Sequence, residues 1–199
     1  MNNAEKFLCA AILVASSAVP HSAFAENIAA VSTDRSLEAY IQQIGVGDEN
    51  GSGSQALILV NKATGTQRRL LVSRYSDDYT KNLTNLSAPL FSLDGGFIYF
   101  SSGDASPYRA AVHQMNLRTG QIRYVTTGWA LSVIRTGPYR GYMLVQKHVM
   151  RDRPEGGTYN PVFVIRPDGH REFMVPGSAN DDGELAVGPW LARNGWHAW

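Results

Sequence analysis

Histidines are the first residues to consider for chemistry in this chain of 199 residues. Four of its five histidines follow residue 25, at His113, His148, His170 and His197. Metal sites that a sequence encodes locally place their ligands within a few residues of one another. The two closest histidines of this group, His148 and His170, are 22 residues apart. The spacing therefore favours histidines at the surface or at strand ends, and it predicts no metal site.

Serine and aspartate are plentiful, but no Gly-x-Ser-x-Gly elbow presents a serine as a nucleophile. A Ser-His-Asp triad assembled from distant parts of the chain stays open, although no local pattern indicates one. The glycine-rich stretch 47–53 lacks the Lys-Ser/Thr pair that follows in a phosphate-binding loop. We therefore predict no catalytic residue and no cofactor.

Two acidic stretches, 48–53 and 180–184, are rich enough in oxygen ligands to be compared with a calcium-binding loop. A twelve-residue calcium loop needs a bidentate glutamate at its last position and a glycine at its sixth. The first stretch has Leu59 at the glutamate position, and the second lacks the glycine at that spacing. Both stretches are interpreted as solvated surface turns.

The charge balance excludes a strongly basic or acidic protein, because 18 Lys and Arg face 17 Asp and Glu, for a net charge of +1. Such a chain has no overall field that draws it to nucleic acid. The longest polar insertion spans residues 151–157, and its Arg151, Asp152 and Arg153 are our candidates for contact with a partner. Other arginines recur near predicted outer strands, where charge discourages edge pairing and could also attract an anionic ligand: Arg68, Arg69, Arg123 and Arg171.

The first 25 residues have the pattern of a secretory signal peptide. Lys6 precedes a mostly apolar run over residues 7–19, Pro20 ends the run, and residues 23–25 read Ala-Phe-Ala. The run is shorter than the roughly 20 apolar residues that a transmembrane helix needs. We predict cleavage after Ala25, which leaves 174 residues, removes the only cysteine, Cys9, and sends the protein to the periplasm or outside the cell. No later apolar run approaches spanning length, so no stable membrane insertion is expected.

The rest of the chain predicts a single all-β domain over residues 26–199. Four apolar runs, at 56–60, 97–100, 142–145 and 161–165, are bounded by Gly, Asp, Asn and Pro. Each run is apolar on both faces, which is typical of strands covered on both sides in a stack of sheets. Residues 26–43 are expected to form one short helix or an irregular lead-in.

A polar turn that follows an apolar strand occurs three times in the sequence. In each copy a polar turn ends in glycine, and a basic or polar strand follows; the copies begin at Asn61, Asn116 and Arg166. Their glycines, Gly65, Gly120 and Gly169, lie 55 and 49 residues apart, near the length of a four-stranded propeller blade with loops. Asp168 stands in the third copy beside its glycine, where a side chain that bonds to the turn is favoured.

The middle copy extends backward through residues 88–102 and resembles the repeat of TolB-type β-propellers, which also occurs in the propellers of prolyl oligopeptidase-type enzymes. Ser92, Asp94 and Gly95 match the Ser-Pro-Asp-Gly turn of that repeat, with Leu93 in place of the proline, and residues 116–120 match its Asp-x-x-Thr-Gly turn. The resemblance implies a small β-propeller, or a propeller-like stack of antiparallel sheets, with three to four blades. It assigns these turn residues a structural role.

The C-terminal region, residues 181–199, is expected to supply strands from 183 to 187 and near Trp190 that pair with the N-terminal segment and hide the sheet edges. The function that these observations favour is binding or scaffolding, with a protein partner or a small ligand and without catalysis. A second hypothesis is an accessory propeller module of a peptidase or hydrolase. A third is an outer-membrane β-barrel, suggested by the aromatic terminus at Trp199.

Overall fold

A computed structural model describes residues 29–45, 53–103, 110–152, 154 and 156–198. The predicted signal peptide lies outside these residues. The described chain forms three four-stranded antiparallel sheets, one two-stranded hairpin, a 3₁₀ turn and one α-helix. Sheet 1 contains β1 (Ala30–Val31), β2 (Leu37–Gln43), β3 (Gln55–Asn61) and β4 (Gln67–Val72). Sheet 2 contains β5 (Ser87–Phe91), β6 (Phe97–Ser102), β7 (Ala111–Asn116) and β8 (Ile122–Thr127).

Sheet 3 differs from the other two by an insertion. It contains β9 (Trp129–Val133), β10 (Met143–Gln146), β13 (Val162–Ile165) and β14 (Arg171–Met174). The inserted hairpin pairs β11 (Val149–Met150) with β12 (Thr158–Tyr159). Along every sheet the strands are hydrogen-bonded in chain order, so each sheet is a simple antiparallel meander.

The four apolar runs of the sequence form central strands, as predicted. They coincide with β3, β6, β10 and β13, and in each sheet these strands have hydrogen-bonded neighbours on both sides. Their side chains are largely buried on both faces. Sheet 2 is covered by a sheet on each face, and the outer face of sheet 3 is covered by the C-terminal residues. Sheet 1 packs on sheet 2 through a cluster that includes Leu57, Ile98 and Phe100, and sheet 2 packs on sheet 3 through a cluster that includes Tyr99 and Val145.

The C-terminal region corrects one prediction. Residues Gly183–Ala186 form a 3₁₀ turn and Val187–Arg193 form the helix α1, where we had predicted strands. The sequence of α1, with Gly188 and Pro189, argues against a helix, but Pro189 lies in its first turn, where a backbone N–H has no helical partner. Trp190 and Leu191 of α1 pack on the face of sheet 3 that points away from sheet 2.

The lead-in corrects a second prediction. Within residues 29–43 the chain forms β1 and β2 rather than a helix. Leu37, Ala39 and Ile41 alternate along β2 and face sheet 2, and β2 pairs with β3 over its whole length. This pairing outweighs the helix-favouring composition of the segment.

The tight turns of the repeat are held by their own polar side chains. Asn61 Oδ1 accepts hydrogen bonds from the backbone N–H groups of Ala63 and Thr64 at 3.0 and 3.1 Å. Asn116 Oδ1 does the same for the two equivalent N–H groups of its turn, both at 2.9 Å. Gly65 and Gly120, with φ of 69° and 73°, close these two turns in the left-handed conformation.

The Ser-x-Asp turn between β5 and β6 has a second copy that the sequence pattern did not reveal. Ser92 Oγ donates to Asp94 Oδ1 at 2.6 Å and accepts from the Phe97 N–H at 2.9 Å. Between β1 and β2, Ser32 Oγ donates to Asp34 Oδ1 at 2.6 Å and accepts from the Leu37 N–H at 2.9 Å. The copy was hidden because Arg35, with φ of 61°, stands where the second turn has Gly95.

The connections between strands divide the stack into two edges. Because successive strands run in opposite directions, every second connection returns to the same edge. We call one edge the turn edge; it carries the repeat turns at 32–36, 62–66, 92–96, 117–121 and 166–170, and also the connection 134–142. The other is the loop edge, which carries the connections 73–86 and 175–182 and the described parts of the connections 44–54, 103–110 and 147–161.

Candidate functional site

The connections at the loop edge are longer than the repeat turns, and hydrogen bonds join separate connections to one another. The Gly103 N–H donates to the Thr84 carbonyl at 2.9 Å, and the Asn160 N–H donates to the Asn180 carbonyl at 3.0 Å. Leu86 N–H donates to Gln55 Oε1 at 2.7 Å, which ties the connection 73–86 to sheet 1. Loops held in this way by a rigid scaffold are common positions for binding residues.

Exposed hydrophobic side chains gather at the loop edge. Tyr75, Met150 and Leu185 expose 68%, 69% and 71% of their surface. Among the described residues, eight large hydrophobic side chains are more than a third exposed, and only Val31 of these lies away from the loop edge. The other members of this group lie on its connections or at the adjacent strand ends: Ile44, Val72, Tyr79 and Met174. Single exposed hydrophobic residues are ordinary on a protein surface, but their concentration on one edge indicates a binding surface.

A cavity of about 290 Å³ lies between the connection 73–86 and strands β7 and β8 of sheet 2. Its wall includes Lys81, His113 and Tyr124. The rings of Tyr79 and Tyr124 meet edge to face, with centroids 5.9 Å apart, and burial raises the pKa of Tyr124 to about 12. The cavity thus offers an aromatic wall with a protonated hydroxyl, a suitable pocket for one side chain of a partner.

The predicted contact loop lies at the tip of the β11–β12 hairpin. Arg151 donates from Nη2 to Asp181 Oδ1 at 2.7 Å, and its guanidinium lies 5.4 Å from the centroid of the Tyr159 ring. Asp152 is exposed, and its carbonyl accepts from the Gly156 N–H at 3.2 Å. Arg153 lies outside the described residues. Arg151 is therefore pre-positioned by a carboxylate and an aromatic ring, which lowers the entropy that it would lose on binding.

The predicted turn residues lie at the opposite edge. Ser92, Asp94 and Gly95 form the β5–β6 turn, while Gly65, Gly120 and Gly169 belong to the β3–β4, β7–β8 and β13–β14 turns. Asp168 Oδ1 accepts from the His170 N–H at 2.9 Å, and this bond lowers the pKa of Asp168. The structure therefore brings none of these residues to the loop edge.

One serine–histidine pair has the distance expected of a catalytic dyad. Ser102 Oγ lies 2.8 Å from His113 Nε2, across neighbouring strands of sheet 2. The Ser102 hydroxyl, however, donates to the Asn82 carbonyl at 2.7 Å, and the two side chains are 3% and 1% exposed. Burial lowers the pKa of His113 to about 4. Within the described residues no carboxylate bonds to this imidazole, so the pair has the geometry of a structural hydrogen bond rather than of an activated nucleophile.

In the part of the chain that the structure describes, no three side chains of His, Cys, Asp or Glu come together as a metal site would require. None of the described helices has both the length and the apolar character needed to cross a bilayer.

Sequence reasoning missed the hydrophobic character of the loop edge. Tyr75 and Tyr79 stand alone within a polar stretch of Ser, Asp and Thr, and Met150 precedes the charged segment 151–153. Isolated apolar residues in polar connections were the available signal. Their common position becomes visible only when strand directions place the connections at one edge.

Comparison with known proteins yields similarity at the level of structure. Neither a protein-family model nor a curated protein matches this sequence. The chain is similar to the acylaminoacyl peptidase of Pyrococcus horikoshii, with 14% identity and a TM-score of 0.51, over 74% of this chain and 24% of the peptidase. It is also similar to TolB from Acinetobacter baumannii, with 18% identity and a TM-score of 0.49, over 76% of this chain and 32% of TolB.

A third similar structure is the β-propeller domain of the trilobed protease from Pyrococcus furiosus, with 10% identity and a TM-score of 0.46, over 73% of this chain and 41% of that domain. This chain therefore spans less than half the length of each of these three structures. At such identities the likeness concerns the fold. The predicted all-β propeller-type fold is confirmed, and the part of the chain that the structure describes forms three four-stranded sheets of the size of a propeller blade.

Proposed function

We propose that this chain is a secreted or periplasmic TolB-like propeller protein that binds a partner protein at its loop edge and has no catalytic activity of its own. The concentration of exposed Tyr, Met and Leu side chains at that edge is the observation that carries the proposal. Aromatic residues, methionine and arginine are enriched in protein–protein interfaces. Arg151, held between Asp181 and Tyr159, adds a charged side chain to the same surface.

The loop edge and the turn edge differ in their exposed side chains. At the turn edge, Asn61, Asp94 and Asn116 each use Oδ1 to accept hydrogen bonds from the backbone of their own turns. The loop edge carries hydrophobic side chains that are 37% to 71% exposed, together with a cavity of about 290 Å³. Hot spots of binding energy commonly pair a large side chain with a pocket of this kind.

Export supports the same proposal from the sequence. The apolar run 7–19 and the Ala-Phe-Ala pattern at 23–25 would place the mature chain in an oxidising compartment. Loss of Cys9 with the leader leaves no thiol to react there. The mass of the mature protein tests this step, because a chain that keeps residues 1–25 contradicts cleavage after Ala25.

Site-specific photo-cross-linking in the producing cell tests the binding surface. A photoreactive residue is placed at Met150 or Tyr75 on the loop edge, and at Thr64 or Arg118 on the turn edge as matched controls. We expect a discrete cross-linked species from the loop-edge positions and none from the controls. Adducts confined to the control positions would place the interface on the turn edge and contradict the proposal. Equal adducts at all four positions would indicate nonspecific proximity rather than binding, and would also contradict it.

Reaction with a fluorophosphonate probe tests the absence of catalysis. The buried Ser102 should remain unlabelled, because its hydroxyl donates to Asn82 and is 3% exposed. The Ser102→Ala variant serves as the comparison. Labelling of the purified protein that disappears in this variant would show a serine hydrolase and overturn that part of the proposal.

A further inference from the structure

A cleft of about 310 Å³ opens at the turn edge, between sheets 2 and 3 and away from the loop edge. Its apolar wall includes Leu93, Phe97 and Pro167. Tyr99 and Gln114 contribute to its interior, and the volume is at the lower end of the range for small-molecule sites. A ligand of this cleft would therefore be small and partly apolar.

A relay of hydrogen bonds leaves one buried donor in the cleft. Arg123 Nε donates to Gln114 Oε1 at 2.7 Å, and Gln114 Nε2 donates to the Tyr99 hydroxyl at 3.1 Å. Tyr99 is 1% exposed, and within the described residues its own proton has no acceptor. Burial raises the pKa of Tyr99, so the hydroxyl remains a donor at neutral pH. A buried donor without an acceptor is costly, and a ligand oxygen in the cleft would remove that cost.

Opposite charges line the same cleft. Asp94 uses Oδ1 to accept from Ser92 Oγ and from the Gly96 N–H, at 2.6 and 3.0 Å. These bonds lower the pKa of Asp94, so it is an anion at neutral pH, and its Oδ2 has no hydrogen bond within the described residues. Arg140 also lines the cleft, and its guanidinium forms no ion pair with any described carboxylate.

We propose that this cleft binds a small zwitterion, a free α-amino acid with an apolar side chain. Its carboxylate would accept from the Tyr99 hydroxyl and from Arg140, and its ammonium group would donate to Asp94. Its side chain would pack against Leu93 and Phe97. The pairing uses each unsatisfied group of the lining once, which is the complementarity that gives a polar site its specificity.

Two other ligand classes fit the lining less well. A simple anion would meet the carboxylate of Asp94, and like charges at short distance disfavour binding. A neutral sugar could bond to the same groups, but it would leave the charges of Asp94 and Arg140 without counter-charges. Both classes are included as probes, because saturable binding of either in preference to an amino acid contradicts the proposal.

Calorimetric titration of the purified full chain with L-leucine and L-phenylalanine is the test. L-leucinamide lacks the carboxylate, N-acetyl-L-leucine lacks the ammonium group, and D-glucose and inorganic phosphate represent the other classes. We expect saturable binding of at least one of the two amino acids. If leucine binds, both of its derivatives should bind at least about tenfold more weakly. If phenylalanine binds, its own amide and N-acetyl derivatives are used for the same comparison. No saturable response to either amino acid up to about 10 mM overturns the proposal.

Variants locate the binding in this cleft. Tyr99→Phe removes the donor while it preserves the ring, and Arg140→Gln removes the exposed cation. Each should weaken amino-acid binding at least about tenfold, whereas Arg69→Gln makes the same charge change on sheet 1 and should leave it unchanged. Circular dichroism checks that the variants fold, and chemical shifts of the Gly95 and Gly141 amides report binding independently. Unchanged affinity in both cleft variants would place any binding elsewhere and overturn the assignment.

Discussion

Acid should destabilise this protein through His113 before it affects the carboxylates. In the folded chain, burial lowers the pKa of His113 from 6.5 to about 4, against the opposing effect of a hydrogen bond to the Asn82 carbonyl. In the unfolded chain the imidazole takes up a proton near pH 6.5. Between these values the unfolded state binds more protons than the folded state, so the free energy of unfolding decreases as the pH falls.

The size of this effect follows from the shift. A difference of about 2.5 pKa units corresponds to about 3 kcal/mol once the pH lies below both values. Between pH 7 and 4.5 we expect a loss of about 2 kcal/mol or slightly more. A domain whose total stability is about 5–15 kcal/mol would be visibly weakened by such a loss.

The carboxylates act in a separate pH window. Hydrogen bonds from Ser32 and then from Ser36 lower the pKa of Asp34 from 3.8 to about 2, and bonds to Lys81 and Thr80 do the same for Asp78. A carboxylate with a lowered pKa stabilises the fold above pH 3.8, and that contribution is lost as the pH falls through about 2. Stability lost between pH 6.5 and 4 therefore does not come from these two groups.

Urea unfolding at pH 7.0 and 4.5, followed by tryptophan fluorescence, measures the loss. Trp190 reports well because it is 5% exposed in the folded protein. His113→Gln removes the titration while it keeps a hydrogen-bonding group beside Ser102, and His170→Gln is the control on the turn edge. The first variant should be less stable at pH 7 and show a smaller decrease on acidification, and the second should behave like the native protein.

Two results would refute this reasoning. One is a decrease on acidification that is the same in His113→Gln as in the native chain. The other, which requires no variant, is an NMR titration of the folded protein in which the His113 ring protonates near pH 6.5. Either would mean that burial does not hold this imidazole neutral.

Three substitutions test local features of the sheets by urea unfolding. Gly95→Ala should cost about 1 kcal/mol, because φ is 69° there and an added Cβ would meet no atom within 4 Å, so only backbone strain acts; no loss of stability would contradict this. Arg35→Gly, at φ of 61° in the equivalent turn, should be neutral or stabilising by less than about 1 kcal/mol, and a clear loss would speak against the strain. Ser132→Ala should stabilise by about 1 kcal/mol, since Ser132 Oγ is buried without a partner in the described chain; destabilisation would mean that the hydroxyl is bonded in solution.

The sequence predicted the central strands and the repeat turns correctly, because in these elements the local residue pattern favours the same conformation as the packing of the sheets. The central strands could be predicted because runs such as 97–100 are apolar on both faces, and only a stack of sheets buries both faces. Repeat turns could be located because Gly65 and Gly120 occupy the same turn position. The equivalent of Gly95 in sheet 1 could not, because Arg35 adopts a conformation that arginine rarely takes.

The remaining differences arise from contacts distant in the sequence. Helix α1 was missed because its seven residues include Gly188 and Pro189, and its stability depends on packing of Trp190 against sheet 3. The cleft at the turn edge unites Asp94 with Arg140, which are 46 positions apart and lie in turns of different sheets. No local spacing predicts such a juxtaposition.

Helix α1 covers the face of sheet 3 that points away from sheet 2, and this makes the two sides of the stack different. Sheet 1 contacts sheet 2, and sheet 2 contacts sheet 3. On the other face of sheet 3, the rings of the buried Trp190 and the partly buried Trp196 meet edge to face, with centroids 5.3 Å apart. In arrays of this kind, cooperativity comes from interfaces between nearest neighbours, and a terminal cap protects the unit beneath it. A sheet could therefore be added or removed next to sheet 3 only together with a rearrangement of α1. We expect insertion, fusion or truncation to be tolerated least on this side of the stack.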